Sequence, residues 1–206
     1  MDIKNLMEKF YKNTPLEKIS WNKTQADYFL ELLNSGKLGQ GEALDLGCGV
    51  GAKSIALAQK GFRVTGVDIS PTAISYAQEK AEKTGVKVKF IASDATDLSF
   101  LANETFDFVL DWACFHCIPK TKRKKYIDEI ADHTKRRGKF LLRCFSKRGV
   151  NKESVFRPAG RVYLFSEKDI GQLFNKKFKI LKTNSSKPFQ QNPPGKWLDE
   201  YLMEKL

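Results

Sequence analysis

The segment that most constrains this chain is a turn. The short apolar run Ala43-Leu44-Asp45-Leu46 leads into Gly47-Cys48-Gly49-Val50-Gly51, and a helical pattern follows to about Lys60. A strand that ends in closely spaced glycines at a helix start makes a tight bend and lets a ligand press against bare backbone. The unpaired N–H groups of the helix start face the same ligand. Such a turn is the first unit of an α/β sheet, so the rest of the chain should repeat it.

The repeat is there. Arg63 to Asp68 reads as a second strand, and Ser70-Pro71 opens a helix with Pro at its first position that ends before Gly85. Val86 to Ala92 and Phe106 to Leu110 read as the third and fourth strands. Lys120 to about Arg136 reads as a helix stopped by Gly138, followed by a fifth strand from Phe140 to Phe145. Ser166 caps a helix to about Phe174, and Phe178 to Lys182 is a sixth strand. Strands alternating with helices over short connections predict a parallel sheet with helices on both faces. Residues 1–40 read as a helical cap, with Thr24 as N-cap of a helix from Gln25 to Asn34. Residues 148–165, with Gly149, Pro158 and Gly160, break the rhythm and read as an insertion beside the mouth of the sheet. The tail holds Pro188, Pro193, Pro194 and Gly195, and its end, Trp197 to Leu202, fits strand or helix equally.

At 206 residues with 41% hydrophobic and 29% charged side chains, the chain suits one folded domain, which sets aside disorder and fibrous classes. No apolar run approaches the roughly 18 residues of a membrane span, and the first residues lack the apolar block of a signal peptide. Four cysteines do not make a disulfide scaffold, so a reducing, cytoplasmic setting is expected. The net charge is +12, and residues 120–148 carry twelve basic and three acidic side chains. That stretch reads either as a solvated helix face, which we favour, or as a patch for nucleic acid.

By spacing alone, Gly47 to Ala52 also fits a dinucleotide fingerprint. Asp45 argues against a diphosphate there, because a buried anion repels it and attracts an ammonium or sulfonium. Asp68, 23 residues after Asp45, suits the two hydroxyls of a ribose and indicates a nucleoside without choosing between cofactors. A nicotinamide dehydrogenase therefore stays open at this point, as does a module that binds without catalysis. Ligands of such sheets sit beyond the carboxyl ends of the strands, so acceptor-facing residues should follow strand four: Trp112 and Phe115 as walls and His116 as the best candidate base. His133, in the basic helix, is expected on the surface. Cys114-Phe115-His116-Cys117 lacks the second ligand pair of a structural zinc site, so no metal is expected. The reading is of reduced, buried thiols lining a pocket wall, with Cys144 at the end of strand five beside them.

Ala43 to Gly51 resembles motif I of the class I S-adenosylmethionine-dependent methyltransferases. Val67-Asp68-Ile69-Ser70 is similar to their ribose-binding strand end, Ser93-Asp94-Ala95 to the acid that meets the adenine amine, and Phe106 to Asp111 to motif IV. The four occur in the family's order. The resemblance implies a three-layer Rossmann-like methyltransferase fold: a mostly parallel seven-stranded sheet, helices on both faces and an antiparallel last strand at the Trp197 region. It implies a single domain over 1–206, with S-adenosyl-L-methionine as cofactor. The implied cofactor residues are Asp45, Gly47, Cys48, Gly49 and Gly51 at the methionine end, Asp68 at the ribose, Ile69, Asp94 and Ala95 at the adenine, and Asp111 and Trp112 beyond strand four. His116 and Asp111 are the candidate catalytic pair. The chain also looks like the thiopurine and tellurite-resistance branch, on Trp21 (a cofactor-lid residue by that likeness) and on Asp111 with Phe115-His116. This implies a small-molecule acceptor, with a thiol or chalcogen favoured. The alternative is an RNA methyltransferase using residues 120–148. Against it, Asp111-Trp112-Ala113-Cys114 stands where amine methyltransferases of nucleic acids carry Asn/Asp-Pro-Pro-aromatic. Asn192-Pro193-Pro194-Gly195 is similar but reads as a turn.

Overall fold

The computed structural model describes residues 2–19, 21–22, 28–148, 152, 154–157, 160–186 and 197–206. Its helices are α1 (Ile3–Asn13), α2 (Tyr28–Asn34), α3 (Ala52–Gln59), α4 (Pro71–Thr84), α5 (Arg123–His133) and α6 (Glu167–Phe174). Its strands are β1 (Glu42–Leu46), β2 (Arg63–Asp68), β3 (Val88–Ala92), β4 (Phe106–Trp112), β5 (Thr134–Phe145), β6 (Ser154–Arg157), β7 (Gly160–Tyr163), β8 (Phe178–Ser186) and β9 (Leu198–Lys205). Seven of them form one sheet in the order β3-β2-β1-β4-β5-β9-β8, and β6 with β7 forms a separate antiparallel hairpin. From β3 to β5 all neighbours are parallel. β9 runs antiparallel to both β5 and β8, so the end of the chain, ambiguous by its own pattern, is a strand inserted between two others.

The strands alternate, except at the irregularity in β4 that puts Phe106 and Phe108 in the clusters of opposite faces. Ala43, Phe108, Leu110 and Leu141 point to one face, where Phe29, Leu32, Leu33 and Leu57 of α2 and α3 cover them. Leu44, Leu46, Val109, Phe140 and Leu142 point to the other, under Tyr126, Ile127 and Ile130 of α5 and Ile170 and Phe174 of α6. Both faces of the central strands are thus buried, as their near-continuous apolar sequences require.

The helix boundaries carry the expected chemistry. Ser70 accepts a hydrogen bond from Ala73 N with Pro71 behind it, and Gly85 closes α4 in the left-handed region at φ 71°. Ser166 and Asp169 form a capping box at the start of α6. The expected Thr24 cap and the Asn192–Gly195 turn lie outside the described residues.

Two sequence readings need correction. The basic helix ends at His133, not near Arg136, and β5 already begins at Thr134. Gly138 lies inside that strand, where its pairing with β4 slips register. A Cβ at Gly138 would stand 2.8 Å from the Lys135 carbonyl oxygen, so the glycine marks a backbone crowded by a bulge rather than a helix stop. His133, expected on the surface, is 7% exposed. Its Nδ1 lies 2.8 Å from the Glu104 carbonyl oxygen, which anchors the end of α5 to the loop before β4.

Candidate active site

The carboxyl ends of β1, β2 and β4 meet at the glycine turn. Gly47 N and Cys48 N both donate to the Val67 carbonyl oxygen, at 2.8 and 3.0 Å, which ties the turn to the end of β2. Gly47 has φ 68°, and a Cβ there would stand 2.6 Å from the Cys114 Cβ. Only glycine allows both that backbone and the close approach of the loop after β4. Gly51, at φ 78°, is packed as tightly on its other side, where a Cβ would meet the Ala77 Cβ of α4 at 2.8 Å.

Three carboxylates converge behind this turn. Asp45 is 1% exposed and accepts from the Ser54 hydroxyl at 2.5 Å. Burial raises its pKa to about 7, opposed by that hydrogen bond and by Lys53 and reinforced by Asp111 and Asp68. Asp68 is 6% exposed and accepts from Gly49 N at 2.8 Å and Ser70 N at 2.9 Å. Burial lifts it to about 6 against the hydrogen bonds from Ser70, Gly49 and Ile69. Asp111 is fully buried and accepts from Cys114 N at 2.7 Å, Phe115 N at 2.9 Å and the Tyr126 hydroxyl at 2.6 Å. Burial raises it to about 6 as well, against those same donors. Ser93 N donates to the Asp68 carbonyl oxygen, which brings the Asp94-Ala95 turn beside the end of β2. There Asp94 accepts from Thr96 N and pairs with Lys122 at 3.1 Å, Ala95 is buried and Ile69 is half-buried.

Asp111 shapes the loop after β4. Ala113 is in the left-handed region at φ 82°, unusual for a residue with a side chain, and the Asp111 carboxylate holds the 3-10 turn 115–117 that follows. This turn buries His116 to 5% exposure, with its ring 4.5 Å from that of Phe145. Trp112 is half-buried between two cations: Lys53 Nζ is 4.7 Å and the Arg143 guanidinium 4.5 Å from its ring. Arg143 reaches the fully buried Glu200 at 3.4 Å, and Asn184 donates to the other Glu200 oxygen at 2.6 Å. Cys48 and Cys144 are buried, Cys114 and Cys117 half-buried, and all four are free thiols; burial and nearby carboxylates raise Cys114 and push Cys117 up to about 12. Among the described residues no His/Cys/Asp/Glu group suits a metal ion.

Sequence reading missed Tyr11. It is 2% exposed, its hydroxyl accepts from Trp21 Nε1 at 3.0 Å, and it lies 2.9 Å from where a Cβ on Gly49 would be. Trp21 is 41% exposed, stacks on Phe10, and lies at the glycine turn beside Tyr11, its Nε1 3.3 Å from where a Cβ on Gly49 would be. The signal was present as apolar residues Leu6, Met7, Phe10 and Tyr11 at helical spacing, but spacing does not say what a helix covers.

The basic stretch meets carboxylates of the same chain. Lys122 pairs with Asp94, Lys124 with Asp128, Lys125 with Asp97 and Glu129, Lys135 with Asp107, Lys139 with Glu204, Lys147 with Asp169 and Arg148 with Asp199. Arg123 stacks on Tyr163 and Phe165. Much of the local charge that suggested a nucleic-acid patch is thus met internally.

A parallel sheet with an antiparallel strand inserted near one edge, a glycine turn over a buried acid, and a second acid at the next strand end define a nucleoside-binding Rossmann-like protein. Three carboxylates against one lysine at the turn fit a cationic ligand and disfavour a diphosphate. The comparisons agree. A family model described as a methyltransferase domain matches residues 43–138. An uncharacterized methyltransferase of Schizosaccharomyces pombe is 33% identical over 118 residues, covering 57% of this chain and 80% of that protein. The 2-heptyl-1-hydroxyquinolin-4(1H)-one methyltransferase of Mycobacteroides abscessus is 27% identical over 152 residues, which cover 71% of this chain and 66% of that protein. Magnesium protoporphyrin IX methyltransferase of Synechocystis, solved with bound SAM, superposes with a TM-score of 0.74 at 21% identity, covering 100% of this chain and 98% of that one. The chain belongs to the class I S-adenosylmethionine-dependent methyltransferases. No helix among the described residues is long and apolar enough to cross a membrane.

The raised Asp45 pKa makes the stability of the fold depend on pH. A carboxyl at about 7 in the folded chain and 3.8 as its reference value favours the fold while protonated. That contribution is complete below pH 3.8 and lost as pH rises through about 7. Asp45→Asn, neutral throughout, should therefore gain stability relative to wild type between those pH values. Urea unfolding of both proteins at pH 5 and pH 8 measures it; a constant difference would show that Asp45 is ionised at both.

Proposed function

We propose that this methyltransferase moves a methyl group to a small, flat or apolar acceptor with an easily ionised nucleophile, a thiol or related chalcogen first among them. When bound, S-adenosylmethionine supplies an electrophilic methyl carbon on a positively charged sulfur. Asp68 would take the ribose hydroxyls, the 47–51 turn and Asp45 the methionine end, and Ile69, Asp94 and Ala95 the adenine. Trp112, Phe145 and His116 would bound the acceptor, and the loop after β4 that carries His116 would keep water from the reacting atoms.

The observation that carries the acceptor class is the occupation of Asp111. Its oxygens accept from two backbone N–H groups of the following loop and from the Tyr126 hydroxyl of α5, which supports a carboxylate that positions the loop rather than one that takes an acceptor's proton. His116 is the remaining candidate base there, and an imidazole suits a nucleophile that titrates not far above neutral, such as a thiol near 8.5. The 2-heptyl-1-hydroxyquinolin-4(1H)-one named for the Mycobacteroides relative has a flat two-ring frame, which supports a flat acceptor.

The test is a methyl-transfer assay with thiol, chalcogenide, phenol and RNA acceptors, run with wild type and His116→Ala. With a thiol acceptor the variant should be about tenfold slower near pH 6.5 and approach wild type above about pH 9, where the thiol ionises unaided. S-adenosylhomocysteine affinity should not change. Equal rates at both pH values would make His116 a packing residue.

A further inference from the structure

The glycine turn and the end of β2 are sealed from solvent: Cys48 is 8% exposed, Val50 0%, Asp68 6% and Ser70 0%. α1 lies over this turn, with Trp21 beside it. Tyr11 rests on Gly49, and Met7, Phe10, Leu16 and Tyr76 pack as half-buried neighbours around it. A nucleoside bound to Asp68 must pass this roof to enter or leave.

The roof is held at two points. On the cofactor side, the Glu8 carboxylate receives the Ser70 hydroxyl at 2.5 Å and the Thr72 hydroxyl at 2.6 Å, and Thr72 N at 3.2 Å. Ser70 and Thr72 flank Pro71 at the start of α4, so the carboxylate also faces the positive end of that helix. Burial would raise the Glu8 carboxyl, but these hydrogen bonds hold it down at about 2. On the acceptor side, Leu6 lies against β7, where a Cβ on Gly160 would be 2.5 Å from Leu6 Cδ2. Along its whole length α1 has one buried side chain, Tyr11. A helix with so little buried surface opens at lower free energy than the core.

We propose that α1 is a lifting roof over the cofactor crevice and that Glu8 is its latch, so that cofactor exchange requires the Glu8 contacts to Ser70 and Thr72 to break. The proposal rests on the reading of the crevice as the cofactor site. Because α1 also touches the β6–β7 hairpin beside the His116 loop, closing it encloses the acceptor side in the same movement. Glu8 is a positioning residue, since it acts through Tyr11 and α4 rather than on the reacting atoms.

Two measurements on the full chain test this. In the ligand-free protein, amide hydrogen exchange over residues 3–13 should rise in Glu8→Ala and in Thr72→Val, while Lys9→Ala, exposed on the same helix, should exchange as wild type does. S-adenosylhomocysteine dissociation, followed by stopped-flow tryptophan fluorescence, should speed up by about tenfold in Glu8→Ala. Its association should speed up as well, so that Kd moves less than either rate. Unchanged α1 exchange in both folded variants, or an unchanged dissociation rate, would overturn the latch. Wild type that fails to bind S-adenosylhomocysteine would instead overturn the cofactor reading, and the ligand-free exchange would still decide whether Glu8 holds α1.

Discussion

Asp68→Ala is expected to weaken S-adenosylhomocysteine binding by at least about tenfold in calorimetric titration, from the loss of charge-assisted hydrogen bonds of roughly 1.5–3 kcal/mol. The carboxylate lies at the end of β2 with Gly49 N and Ser70 N as its backbone donors. Those two bonds aim the oxygens and place the carboxylate at the lip of the turn. Replacement by Asn separates the two effects: the side chain keeps its size, loses its charge and turns a donor toward one of the two N–H groups. Asp68→Asn should therefore also lose affinity, with less loss of stability than Asp68→Ala. Affinity unchanged in both variants would place the ribose elsewhere in the crevice.

Asp111→Ala is expected to cause the larger loss of stability. It strands the buried Phe115 N and Tyr126 hydroxyl and the part-buried Cys114 N, donors that now end on one carboxylate. Each stranded donor costs about 1–3 kcal/mol. Allowing for relaxation of the loop, a total of about 3–5 kcal/mol is expected, a fall in Tm of about 10 °C for a chain of this length. Asp111→Asn should be nearly as harmful, because its amide sets a donor against donors. Thermal unfolding of the two variants measures this. A Tm within about 2 °C of wild type, together with lost activity, would return Asp111 to the catalytic role that its place after β4 suggested.

The core of the site was legible in the sequence where one local pattern forces one local geometry. Glycines at 47, 49 and 51 after an apolar strand leave few alternatives for the backbone, and an acid at the end of the next parallel strand is delivered to the same crevice by the register of β1 with β2. Caps at Ser70 and Ser166 were legible for the same reason, since their partners lie three residues away. The end of α5 was not. Helix propensity runs on through Lys135 and Arg136, and the pairing of Thr134 with Phe106 overrides it from 28 residues away. The burial of His133 and the inward strand at 198–205 likewise depend on partners distant in the chain.

The chain's own order of residues determined the parallel sheet, the glycine turn and the strand-end carboxylates beside it, because strand and helix periodicity and backbone sterics act over a few residues. Tertiary structure alone decided that Asp111 accepts from its own loop and from Tyr126 of α5, that Tyr11 lies over Gly49 and that Glu8 ties α1 to α4. Those assignments depend on which donors meet which acceptors across long separations, and a hydrogen bond of about 3 Å has no signature in a linear pattern.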